Sequence, residues 1–134
     1  MSMAKDFRQM LVTAGISTPI AISQLPASPD VVIALLETPS WAPQRTMRKG
    51  VAVYWLGLQM LARGARNTDT DADPYETVHD LAFQVAELLQ GYKGTLNGHD
   101  YLDVGMIANP SYLGRDETKR DQFTCNFRVC QGLL

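Results

Sequence analysis

The chain has 134 residues, 46% hydrophobic and 19% charged, an ordinary globular balance that argues against wholesale disorder. That length fits one domain with a real core, so residues 1–134 read as a single α/β domain. A formal net charge of −2 offers no overall attraction to nucleic acid or anionic lipid, and no apolar run approaches the roughly 20 residues that span a bilayer.

The first residues, MSMAKDFRQM, carry an acid and lack a long apolar core, so no signal peptide is expected. Residues 3 to 14 predict a helix with Phe7, Met10, Leu11 and Ala14 on one face. Lys5, Asp6, Arg8 and Gln9 form its polar side, and Gly15 is placed to stop it. The next stretch, broken by Pro19, Pro26 and Pro29, is too interrupted for a long helix or a central strand. Val31 to Glu37, VVIALLE, predicts a strand buried on both faces or nearly so. Thr38 to Gly50 holds Pro39, Trp41, Pro43 and the cations Arg45, Arg48 and Lys49. It predicts a long loop, of a length that tends to be functional or mobile. Val51 to Arg66 predicts one long strand bent at Gly57, or a strand from about Leu58 after a looser lead-in. Gly57 and Gly64 argue against a helix there, each costing about 1 kcal/mol in a helix interior.

The acidic linker NTDTDAD leads into the best-defined element, a helix from Asp73 to Gly91. Asp73 suits the N-cap, Pro74 the first helical position, and Glu76 completes a D-x-x-E pattern like a capping box. Tyr75, Val78, Leu81, Ala82, Val85, Leu88 and Leu89 form a continuous apolar stripe, and Gly91 supplies the stop. Tyr101 to Ala108 alternates as a strand ended by Asn109-Pro110, and Gly114 to Asp121 reads as a charged, solvated turn. Phe123, Cys125, Phe127 and Val129 then alternate with Thr124, Asn126, Arg128 and Cys130 in a half-buried final strand. The order α-β-β-α-β-β predicts an α+β fold: a four-stranded, mainly antiparallel sheet with two helices packed on one face.

Signs of catalysis are weak. Asp69, Asp71 and Asp73 with Asp80 imitate a calcium loop, but Pro74 stands where that loop needs glycine, and Asp80 where it needs glutamate. An acidic linker ending in a helix cap accounts for the same residues. His79 and Asp80 are sequence neighbours on a helix and are not expected to face each other. No serine or cysteine is placed to exchange a proton with His79 or His99. Cys125 reads as a small hydrophobe, and a bridge between Cys125 and Cys130, so close in one strand, is not expected. GLQMLARG lacks the spacing and lysine of a phosphate loop. Trp41, Tyr54 and Trp55 suit core packing or an interface better than base stacking. The expectation is a protein that is not an enzyme and needs no cofactor or metal.

The distribution of charge is more informative. Between Thr38 and Thr68 every charged residue is basic: Arg45, Arg48, Lys49, Arg63 and Arg66. Between Asn67 and Tyr92 every one is acidic, beginning with Asp69, Asp71 and Asp73. Solvated loops explain this without function. Opposite patches on one small domain also suit head-to-tail contact between copies, which closes into a ring when the rotation permits. These eight residues are the candidate subunit interface.

Three stretches resemble the tail terminator (minor capsid, tail completion) proteins of long-tailed bacteriophages: PDVVIALLET with its polar loop, LGLQMLARG running into the Pro74 helix, and NPSYLGRDETKRDQFTCNFRV. The resemblance implies a small α/β domain assembling as a hexameric ring on the head-proximal end of the tail tube. Such a ring stops tube polymerisation and presents a surface to the head-completion or connector protein. It implies a location in the virion tail, with the host cytoplasm during assembly, and DNA met only by passage through the ring lumen. The alternatives are a head–tail connector or stopper protein and, from another class, a small ligand- or nucleic-acid-binding module.

Overall fold

Helix α1 (Met3–Thr13) opens the chain in a computed structural model that describes residues 2–46, 50–67 and 72–132. The Ser2 hydroxyl caps it by accepting from the Lys5 amide, and Gly15, at φ +105°, turns the chain away. The strands β1 (Ile20–Ile22), β2 (Val32–Thr38), β3 (Gln44–Thr46) and β4 (Gly50–Arg66) follow. Helix α2 (Ala72–Leu89) comes next, and Gly91 at φ +75° ends it. The chain closes with β5 (Gly94–Leu96), β6 (His99–Met106), β7 (Ser111–Arg115) and β8 (Arg120–Gly132).

The expected four-stranded sheet is overturned. The protein is mostly β, with one curled, mixed sheet of eight strands in the order β1-β2-β4-β8-β6-β5. Here β1 runs parallel to β2, β3 joins β4, and β7 joins β8. The physical reason lies in the lengths of the two spine strands. At 17 and 13 residues, β4 and β8 outrun their neighbours β2 and β6, at 7 and 8. The uncovered ladder groups need partners, and β3 and β7 supply them. Each added strand has only three to five residues, too few for alternation to show in sequence. Hence the stretch at 38–50 is not wholly a loop, and the charged turn shrinks to Asp116–Lys119 between two paired strands.

Both helices cover one face of the sheet. Ile33 and Leu35 on β2, Met60 on β4, and Phe127 and Val129 on β8 point to that side, and all are buried. There they meet Phe7 and Leu11 of α1 and Val78, Ala82 and Val85 of α2, in one continuous core. At Gly64 the fit of α2 on β4 is tight: a Cβ there would sit 3.0 Å from that of Val78. Among the described residues no helix covers the opposite face of β4, β8 and β6, where Asn126 and Arg128 of β8 are exposed while Arg63 of β4 is buried. Among the described residues, no helix is long and apolar enough to cross a membrane.

Candidate functional site

Of the eight charged residues read from the sequence, Arg45, Arg63, Arg66 and Asp73 fall within the described residues, on β3, β4 and α2. Arg48, Lys49, Asp69 and Asp71 lie outside the described residues. The backbone of Arg45 lies in β3, in register with Val51. Arg66 is exposed at the end of β4, and Asp73 is exposed within the first turn of α2. The helix begins at Ala72, so Asp73 is a helical residue and not its cap.

Arg63 is 3% exposed and engaged within the subunit. Its Nε donates to the Asp30 carbonyl at 2.9 Å and a terminal nitrogen to that of Pro29 at 2.7 Å. Burial, and then the nearby Arg120 cation, lower its pKa. Arg120 reinforces the clamp, donating to the Ala27 carbonyl at 2.8 Å, to the Asp116 carboxylate at 2.8 Å and to the Asp30 carboxylate at 3.1 Å. These two arginines fasten the proline-broken segment to the ends of β4 and β8. A neighbouring knot forms on Asp121, which takes bonds from Tyr112, Arg115 and Asn67. Burial raises the Asp121 pKa, but those bonds outweigh it and hold the carboxyl below its ordinary range.

A second buried knot joins α1 to the β5–β6 hairpin. Asp6, on the expected polar side of α1, is fully buried. It accepts from the Tyr101 hydroxyl at 2.6 Å and from Asn97 Nδ2 at 2.8 Å, and contacts His99 Nδ1 at 2.7 Å. Burial raises its pKa; the bonds from Tyr101, His99 and Asn97 prevail and leave it lowered. Burial and the bond to Asp6 push the Tyr101 phenol up. The usable signal was Asn97-Gly98, both at positive φ, which makes the two-residue β5–β6 turn that aims Asn97 and His99 at α1. His79 and Asp80 do touch, at 3.1 Å, contrary to expectation, but Asp80 is exposed and His79 only half-buried, so the contact contributes little.

The helix-free sheet face carries the most distinctive surface. Trp41 lies against β4 through its amide, which donates to the Trp55 carbonyl at 3.0 Å. The Arg128 guanidinium lies over both indole rings at cation–π range, its Cζ 4.0 Å from the Trp55 ring centroid and 5.6 Å from that of Trp41. Together with Asp103, Gly105, Met106 and Ile107 they line a groove of about 460 Å³. Gly105, in register with Arg128, leaves the groove open: a Cβ there would meet nothing within 4 Å. Trp41 and Ile107 remain 43% and 57% exposed. Exposed aromatics in a groove are the ordinary make-up of an interface centre.

On the other side of the molecule, α2 carries four acidic residues and no lysine or arginine. Asp73, Glu76, Asp80 and Glu87 are all exposed, facing away from the core. Cys125 and Cys130 are free and buried, and burial pushes the Cys125 thiol up to about 11. Among the described residues, no group of three or more histidines, cysteines and acids stands ready for a metal.

The fold has a counterpart in a virus-like particle. A chain from the "Virion of native gene transfer agent (GTA) particle" superposes with a TM-score of 0.66 at 14% identity, over 98% of this chain and 96% of that one. A second solved chain superposes with a TM-score of 0.58 at 13% identity, over 99% of each. At such identity the likeness speaks to fold alone. No protein family matches the sequence, and no curated protein does.

Proposed function

We propose that this protein is a structural component of a phage-like virion, and within it the ring-forming tail terminator. The carrying observation is the end-to-end likeness in fold to a chain of the gene transfer agent virion, at a TM-score of 0.66 over 98% of the chain. The sequence resemblance to tail terminators points the same way, as does a surface made of contact patches. In this reading copies of the chain form a ring, hexameric in the virion. The ring seats on the head-proximal end of the tail tube, stops its growth and offers a surface to the head-completion protein. The role is architectural and not enzymatic, and DNA passes through the lumen.

The test is polymerisation of the cognate tail-tube protein with and without this chain, followed by electron microscopy. Tubes capped at one end and held to a bounded length are expected. Unbounded growth with bare ends would refute the terminator role, and binding to the head connector instead would assign the chain to the connector side of the joint.

A further inference from the structure

We infer that the groove around Arg128 receives the acidic face of α2 from a second copy of this chain. The inference rests on the ring reading and gives it a specific contact. Arg128 is held by two indoles, and among the described residues its side chain makes no hydrogen bond or ion pair. A guanidinium held through its charge by aromatic rings, and not by hydrogen bonds, keeps its N–H donors for a carboxylate. The two tryptophans restrict the side chain beforehand, which reduces the ordering lost on binding.

The chain itself presents a matching partner. α2 carries Glu76 and Asp80 one turn apart, both exposed, with no lysine or arginine in the helix, although the His79 ring touches Asp80 at 3.1 Å. The half-buried Phe83 on the same helix supplies apolar surface beside them. Groove and helix lie on opposite sides of the subunit, one on the bare sheet face and one over the core. A contact between them is therefore heterologous, and such contacts propagate from copy to copy and close into a ring when the rotation permits. Among the described residues Asp103 is the one anion on the groove wall, and it weakens the field that Arg128 presents to an incoming carboxylate.

Sedimentation velocity on the full chain over a concentration series, at low and high salt, tests the contact. Arg128→Glu is expected to weaken self-association by about tenfold or more. Asp80→Arg with Glu76→Arg should weaken it similarly, while mixing the two charge-reversed proteins should restore association. Asp103→Asn should strengthen it. Circular dichroism melts check that each variant folds, and Trp41→Ala serves as a second groove variant if Arg128→Glu does not. A wild-type chain that stays monomeric throughout overturns the contact, and so does association that neither groove variant alters. In the latter case the terminator reading stands or falls separately on the capped tubes.

Discussion

Replacing Asp6 with alanine should destabilise the fold more than any other single change on the polar side of α1. The carboxylate is fully buried and joins α1 to the β5–β6 hairpin through Tyr101, His99 and Asn97. A hydrogen bond to a charged group is worth about 1.5–3 kcal/mol, and a buried donor left unpaired loses about 1–3 kcal/mol. The contributions overlap, because Tyr101 is partner in the first and victim in the second. About 3–4 kcal/mol is the expected loss, a large share of a typical stability of 5–15 kcal/mol. Urea denaturation followed by circular dichroism measures it. The double variant with Tyr101→Phe removes the stranded hydroxyl, so it should be less damaged than the sum of the single changes, by about 1 kcal/mol or more. Acid provides an independent handle. The folded pKa of Asp6 lies below its unfolded value, so its contribution is complete above about pH 4 and is lost as pH falls through the folded value. Asp121 and Asp116 act in the same direction. A loss under about 0.5 kcal/mol, or strict additivity with Tyr101→Phe, would refute the reasoning.

Three further outcomes follow from the packing. Gly57→Ala should lose about 1–3 kcal/mol in the same urea assay, since the new Cβ would collide with Thr38 Oγ1 and approach the Pro39 carbonyl to 2.9 Å; adding Thr38→Ala should recover only part, because the carbonyl stays. Arg63→Ala should lose about 2 kcal/mol and open residues 23–31 to limited proteolysis, with self-association unchanged; protection equal to wild type would show that Arg63 is not the clamp. Neither cysteine should react with a thiol-specific disulfide reagent at pH 8 until the protein unfolds, because both are buried and their thiol pKa values are raised. Rapid stoichiometric labelling of the native protein would contradict that burial.

The sequence alone was enough for the elements whose pattern is long and repeated. The two helices, and the strands at Val31 to Glu37, Val51 to Arg66, Tyr101 to Ala108 and the final alternating run, are each close to where local periodicity places them. Side-chain period follows from backbone geometry, so an element of two or more turns or pleats declares itself. Tertiary structure decided the rest. The four short strands exist because the long neighbours offer open ladder positions, which no three-residue window records. Charge was legible as composition but not as role. Arg63 and Asp6 look like surface residues in the sequence, yet burial with good partners makes them internal fasteners. Arg128, counted only as one polar position in an alternating strand, becomes the centre of a surface because Trp41 and Trp55 close over it. Those three residues are far apart in the chain, and only the sheet's curl and register bring them together.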